Sequence, residues 1–397
     1  MANPIDLYTV RFWLGVGVAL FFLMPLTRPT TRKWAFALLN LGFLGMYLGP
    51  WPVAVGVVSG VVLICLLLRI APRQGLGSLV LTFGGLVVLG LFVVHKLPWI
   101  GEKFGLSSLD RTLATVGFSY VALRVVDLAR AVRDGTHPPP GLVATINYLL
   151  PFHMLAAGPI QAYEEFAAQP AIPSPLEAGE ALEAIERIAD GMFKKFVLAN
   201  MIQKLFLTDF RAGGPYLLVE MQLNFLWLYL DFSAYSDVAV GVGRLIGVRT
   251  PENFNRPYLA RNVIDFWERW HISLSRFIQR NVFIPLQLGM MRRTDGRFPL
   301  LIASISITIA FLLCGLWHRI DLHWLAWGAL QATGLIACYL YQHILVKRLG
   351  RKGVKAYLAN RWIRLLAIVL TFEFEALTVL VATYPFEELL WWAGYYR

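Results

Sequence analysis

An all-α integral membrane protein is what these 397 residues imply, with roughly ten or eleven membrane helices, several of them short, bent or re-entrant. Three observations carry that expectation. Hydrophobic residues make up 57% of the chain and charged residues only 15%, where soluble domains carry about a quarter. Mean hydropathy is +0.58. The apolar residues also fall in continuous runs with brief polar breaks, so a single multi-pass domain over 1–397 fits better than several soluble ones.

The net charge of +11 does not require a nucleic-acid partner, because Lys and Arg cluster just beyond the ends of apolar runs. Such clusters stay on the cytoplasmic side and orient the spans. Cys65, Cys314 and Cys338 lie within apolar runs, at spacings that match no zinc or redox pattern, and read as small buried hydrophobes.

Phe12 to Leu26 is the first span. It is not expected to be a cleaved leader, since only Arg11 precedes it and it ends in LTRPTTRK. Arg28, Arg32 and Lys33 place the next loop in the cytoplasm and the N-terminus outside. Trp34–Leu48 runs outward to a turn at Gly49-Pro50-Trp51-Pro52, Val53–Leu68 inward, and Leu79–Val94 outward again. An external loop over Pro98–Asp110 ends at candidate caps Ser108 and Asp110. A helix over Thr112–Val132 follows. Its Arg124, Asp127 and Arg130 would be costly against lipid, so it faces protein or water.

Leu142–Ile160 is broken by Pro151, His153, Gly158 and Pro159, which predicts a re-entrant or enclosed segment. Ser174-Pro175-Leu176-Glu177 predicts a helix start with Ser174 as cap. Glu180, Glu183 and Glu186 then oppose Leu182, Ile185 and Ile188, as in an amphipathic surface helix. Lys194, Lys195 and Lys204 bracket a further apolar helix. Tyr216–Ile246 exceeds one upright span of about twenty residues, so a break is expected within Asp231–Ser236.

From Gly247 to Pro299 there are nine arginines against four acids. Here Trp267, His271, Leu274 and Ile278 recur at helical spacing, predicting one face of an interfacial helix. Leu300–Trp317 is a span ending at His318, and Leu325–Leu345 returns. Lys347–Arg364 holds seven basic residues and no acid, predicting a cytoplasmic loop. Leu365–Tyr384, with Glu373 and Glu375, is the last span.

Two Trp-His pairs stand out: Trp270-His271 in FWERWHISLS and Trp317-His318 in LLCGLWHR. Each has an ordinary explanation. His318 can end a span with Trp317 in the interfacial aromatic belt, and His271 can bond a carbonyl. Ionisable groups within membrane segments nevertheless point to function. His318 and His323 sit about 140° apart on a helix, and there is no HExxH or Cys/His cluster, so no metal is expected. No GxSxG or phosphate-binding glycine loop occurs, and Ser273 and Ser275 need only the helix backbone.

PENFNRPYLARNVIDFWERWHISLSRF (Pro251–Phe277) resembles the signature of the membrane-bound O-acyltransferase (MBOAT) family, in its bacterial DltB/AlgI branch. LYLDFSAYSD (Leu228–Asp237), AGPIQAYEEF (Ala157–Phe166), FKKFVLAN (Phe193–Asn200) and CGLWH (Cys314–His318) are similar in the same order. VGFSYVALRVVDLARAVRDG (Val116–Gly135) is most similar to the D-alanyl transfer (DltB) group. The resemblance runs from about Val116 to Leu345. It implies a fold with a funnel or tunnel, and an O-acyltransferase that uses a cytoplasmic donor and a hydroxyl acceptor outside. Residues 1–110 would then be peripheral helices, 111–346 the catalytic core, and 347–397 the basic loop and last helix.

By the same resemblance His318 matches the essential histidine and His271 the second one. His318 is the expected general base, since a hydroxyl attacking a thioester must lose its proton. His271 would orient or polarise the donor carbonyl. Trp317, Trp270, Asp231, Ser233, Tyr235, Asp237, Glu268 and Arg319 are the expected lining and support. Arg319 departs from the family's usual Gly; there it could narrow the outer mouth or hold an anionic acceptor. No resident cofactor is implied. The donor would be a phosphopantetheinyl carrier-protein thioester or an acyl-CoA, with an acidic carrier docking on the arginine-rich face. The acceptor would be an envelope polymer or periplasmic protein, in a bacterial cytoplasmic membrane. A proton-coupled transporter using His271 and His318 as a relay is the competing class, disfavoured by the missing inverted repeats. A non-catalytic scaffold is the third.

Overall fold

The computed structural model describes residues 9–48, 51–70, 76–106, 109, 113, 117–155, 157–207 and 216–392. Among them every regular element is a helix, in keeping with the expected class. The chain forms two compact units, residues 1–192 with 234–252 and residues 193–233 with 253–397.

In the first unit, α1 (Val10–Leu23), α2 (Pro29–Leu48), α3 (Trp51–Ile70) and α4 (Leu76–Lys96) lie where the apolar runs predict spans. Thr9 caps α1 by accepting the Phe12 N–H at 3.3 Å. The helix buries Phe12, Val16, Ala19 and Leu23, one helical face. Phe12, Phe43 and Phe152 pack together, with centroids 5.9 Å apart for Phe12–Phe43 and 5.2 Å for Phe43–Phe152. Arg32, expected as a loop charge, is buried instead. Its guanidinium donates to the carbonyls of Leu23 and Ile246, acceptors at the ends of their helices. A short helix, α5 (Pro98–Lys103), forms inside the predicted external loop. The Gly49-Pro50 turn, the caps Ser108 and Asp110, and the expected helix start at Thr112 lie outside the described residues.

The charged helix is α6 (Phe118–Arg133), and it does face protein: Arg124 and Asp127 are both fully buried. Arg124 donates to the carbonyls of Leu149, Met154 and Pro159 at 3.2, 2.8 and 3.5 Å. Those carbonyls belong to the broken segment, which runs through α7 (Leu142–Leu149), a 3-10 turn at Phe152–Met154 and irregular chain up to α8 (Tyr163–Ala167). Without a buried donor such carbonyls would be orphaned in an apolar interior.

Helix α9 (Ala178–Phe193) starts later than expected. Ser174 lies in irregular chain ahead of it. The Glu180 carboxylate accepts the Glu177 N–H at 3.3 Å, so the reciprocal half of a capping box sets the start. Arg187 on α9 pairs with Asp237 at 3.1 Å and also with Glu252. A Cβ on Gly191 would come within 2.8 Å of the Ala234 carbonyl, so α9 and its neighbour touch by backbone. Leu182 and Ile185 point outward and are exposed.

Helix α10 (Tyr216–Leu245) is unbroken, against expectation. Its 30 residues span about 45 Å. The mid-helix acids do not break it because side chains neutralise them: Lys195 pairs with Asp231, and Arg187 with Asp237. The hydrogen-bond ladder is left intact.

The rest of the second unit is built from π-helical turns at Lys194–Ala199 and Gln203–Leu207, then α11 (Val263–Trp267), α12 (Ile272–Ile278), α13 (Ile284–Arg293), α14 (Pro299–His318), α15 (Leu322–Ala359), α16 (Arg361–Thr383) and α17 (Phe386–Trp392). Helices α14, α15 and α16 are long and apolar enough to cross a membrane. Residues 347–364 are not a loop. They continue α15 past a bend at Gly350 (φ 64°), and Asn360 caps α16 through the Trp362 and Ile363 N–H groups. Lys and Arg are good helix formers, so a positive run need not end a helix.

Candidate active site

FWERWHISLS does not form one helix. Helix α11 stops at Trp267, His271 takes a left-handed conformation (φ 42°, ψ 51°), and α12 begins at Ile272. Left-handed backbone is strained for a residue with a Cβ and needs support from its surroundings. That support is the PENFN segment. The Ile272 N–H donates to the Asn253 carbonyl at 3.0 Å, and the Asn255 N–H to the Arg269 carbonyl at 2.9 Å. The Asn253 side-chain oxygen accepts from the Ser273 N–H at 3.3 Å and the Ser273 hydroxyl at 2.6 Å. The predicted stripe of Trp267, His271, Leu274 and Ile278 is therefore split over two helices. Ser275 bonds the carbonyls of Trp270 and His271, as its sequence context implies, but Ser273 has found a side-chain partner.

The same asparagine sets the state of His271. Its Oδ1 lies 3.4 Å from the imidazole Nδ1. The Ser273 N–H identifies that atom as the amide oxygen, which can only accept, so Nδ1 carries the hydrogen. A neutral ring then has its lone pair on Nε2. That atom has no partner among the described residues, although the residue is only 2% exposed. Burial, with a smaller contribution from the nearby His318, lowers the pKa of His271 to about 3. His271 lies in a turn outside the spanning helices, with Phe232 edge-on at 4.8 Å.

His318 ends α14. It stacks on Trp324 (4.5 Å, 19°), with Trp317 at 4.6 Å and Trp327 edge-on at 5.6 Å. Glycines make this possible. A Cβ on Gly315 would come within 2.3 Å of the Trp324 carbonyl, and one on Gly328 within 2.5 Å of the Phe311 carbonyl, so α14 and α15 cross backbone to backbone. Asp321 secures the turn between them by capping Trp324 at 3.1 Å and bonding His323 at 3.0 Å. Arg319 points into the open and pairs with Asp321 at 2.7 Å.

The other predicted residues divide. Trp270 packs behind His271, stacked on Phe266 at 5.5 Å with Phe254 at 5.1 Å. Ser233 is buried and bonds the Leu230 carbonyl at 3.4 Å. Asp231 pairs with Lys195 within the second unit, while Tyr235 and Asp237 belong to the first. Glu268 is on the edge of a cavity of about 440 Å³ walled by Trp267, Ile272, Arg276 and Phe311; neither imidazole lines it. Asn253, Trp324, Trp327, Gln331 and Glu375 were not foreseen. Pro-Glu-Asn is turn chemistry and could have flagged Asn253. Trp324, Trp327 and Gln331 share one helical face. Nothing local links Gln331 to Glu375, which lies 44 residues away.

Residues 86–374 match the model of the membrane-bound O-acyltransferase family, a stretch that takes in both Trp-His pairs. The chain is similar to the teichoic acid D-alanyltransferase of Streptococcus thermophilus, 30% identical over 309 residues, 75% of this chain and 73% of that protein. It is 29% identical over 297 residues to the teichoic acid D-alanyltransferase of Bacillus subtilis, 72% of this chain and 73% of the relative. A probable alginate O-acetylase, AlgI of Azotobacter vinelandii, is 30% identical over 270 residues, 63% of this chain and 51% of the relative. With the family match covering most of a helical chain that has spanning helices and both Trp-His pairs, the protein belongs to the membrane-bound O-acyltransferase family and is an O-acyltransferase of the DltB/AlgI type.

Proposed function

We propose that this protein moves an acyl group, D-alanyl or acetyl, from a thioester on the cytoplasmic face to a hydroxyl of an envelope polymer across a bacterial cytoplasmic membrane. The relatives named for teichoic acid D-alanylation and alginate O-acetylation support both acyl groups. The observation that carries the reading is the pairing of two histidines close enough to influence each other, one of them buried with an unpartnered nitrogen.

In this reading His318 takes the proton of the acceptor hydroxyl as its oxygen attacks the thioester carbonyl carbon. The tetrahedral intermediate collapses, the C–S bond breaks, and the thiolate leaves with the proton from the His318 imidazolium. The tryptophans around His318 exclude water, which would otherwise compete as acceptor. His271 keeps the orienting part of its expected role. Polarising a carbonyl needs an N–H, and in the neutral ring that hydrogen faces Asn253. An acidic carrier protein docking by its phosphopantetheine arm on the arginine-rich 247–299 face is our preferred donor, and its binding should weaken with salt.

Reconstituted protein given a labelled thioester donor and a hydroxyl acceptor tests this. His318→Ala is expected to lower transfer at least about a thousandfold with the protein still folded. Full transfer in that variant would refute the mechanism, and proton flux without any transfer would favour a relay.

A further inference from the structure

The transfer outlined above does not use the buried carboxylate of Glu375. Glu375 is 1% exposed on α16, a helix apolar enough to span the membrane. An acid in such a place is costly unless it serves a purpose. Its Oε2 accepts the Gln331 amide at 2.7 Å. Gln331, on α15 and also 1% exposed, donates to the Thr378 hydroxyl at 2.9 Å. Its oxygen accepts the Trp267 indole N–H at 2.9 Å. One chain of hydrogen bonds thus ties α16, α15 and α11 together.

The chain has only one workable orientation. An indole N–H can only donate, so the Gln331 oxygen must face Trp267 and its NH₂ must face Glu375. The tie reaches His318 by packing. Gln331 lies one turn beyond Trp327 on the same face of α15, and Trp324 lies one turn before. Trp267 meets Trp327 at 6.1 Å, and Trp327 and Trp324 both pack against His318.

We propose that Glu375 is a positioning residue for His318, fixing Gln331 and through it the Trp267, Trp327 and Trp324 rings that hold the imidazole. This rests on the acyl-transfer reading for its catalytic consequence. The requirement is for an acceptor at that reach rather than for charge. Glu375→Gln keeps the acceptor, whereas Glu375→Ala removes it and leaves the Gln331 amide unpaired.

The test is a double-mutant cycle on kcat in the reconstituted full-length protein. Glu375→Ala and Trp267→Phe are each expected to lower kcat roughly tenfold, with donor KM little changed, and the double variant is expected to be no worse than the poorer single. Glu375→Gln should stay within about twofold of the wild type. Independent losses that multiply in the double variant would overturn the proposal, as would full kcat in Glu375→Ala or a loss in Glu375→Gln equal to that in Glu375→Ala. Should Glu375→Ala fail to fold, Glu375→Asp, one methylene too short to reach Gln331, takes its place in the cycle. A second readout needs no substrate: the rate at which diethyl pyrocarbonate modifies His318, followed on its peptide by mass spectrometry. It should rise in Glu375→Ala and stay unchanged in Thr371→Ala on the same helix. Equal rates in Glu375→Ala and wild type would refute the positioning role. If wild-type protein transfers no acyl group, the functional reading fails while this measurement still decides the inference.

Discussion

The two units each break a helical segment inside apolar surroundings, and they support the break in opposite ways. In the first, the chain between Leu149 and Pro159 leaves carbonyls without partners, and the charged Arg124 supplies donors to three of them. In the second, the turn before Ile272 is held by the neutral Asn253, whose carbonyls accept the Ile272 and Ser273 N–H groups. A charged donor makes a rigid knot and nothing more is needed from it. A neutral acceptor beside a histidine does two jobs, since it shapes the turn and also assigns the tautomer of His271. The lesson is that support for irregular backbone becomes chemistry only where a titratable ring shares the acceptor.

The contrast can be broken most severely at Arg124. Arg124→Leu orphans three carbonyls and should cost about 3 kcal/mol or more, read as a large fall in the thermal unfolding midpoint in detergent. Arg124→Lys should rescue only part of it, because an ammonium lacks the planar fork. If Arg124→Leu folds as well as the wild type, the knot is not structural.

Asn253 should respond differently. Asn253→Ala is expected to lose about 1–3 kcal/mol and to lower acyl transfer as well, since the turn and the tautomer are released together. Asn253→Asp keeps the acceptor but adds negative charge. It should preserve the fold and move the acid limb of the kcat/KM profile to higher pH, because a nearby anion favours the imidazolium. An unmoved profile would separate Asn253 from His271.

The pH dependence of stability sharpens the same point. His271 is held neutral, with its pKa lowered to about 3 from an ordinary value near 6.5. Between those values the unfolded chain binds more protons than the folded one, so stability falls as pH drops below about 6.5 and is unaffected above it. The slope approaches about 1.4 kcal/mol per pH unit for one group. His271→Gln should flatten that acid limb, as followed by unfolding midpoints between pH 7 and 4.

The smallest effect is expected at Arg319. Its ion pair with Asp321 is largely exposed and worth about 0–1 kcal/mol. Arg319→Gly should leave stability nearly unchanged. If transfer to an anionic acceptor falls roughly tenfold while the unfolding midpoint holds, the arginine binds that acceptor.

The amino-acid sequence alone determined the helical membrane class, the positions of the early spans, the burial of Arg124 and Asp127, and the two Trp-His pairs. Those follow from hydropathy and from the cost of charge in an apolar medium, which are properties of short stretches. It predicted a break in the Tyr216–Ile246 segment where the helix is continuous, because Asp231 and Asp237 look like breakers until Lys195 and Arg187 neutralise them. It also missed the break at His271, because helical spacing continues through FWERWHISLS and only Asn253 interrupts it. The free nitrogen of His271, the tryptophan setting of His318 and the Trp267–Gln331–Glu375 chain were decided by tertiary structure. Each depends on which distant partner fills one hydrogen-bonding position or which glycine lets two backbones touch, and periodicity within a helix holds no record of that.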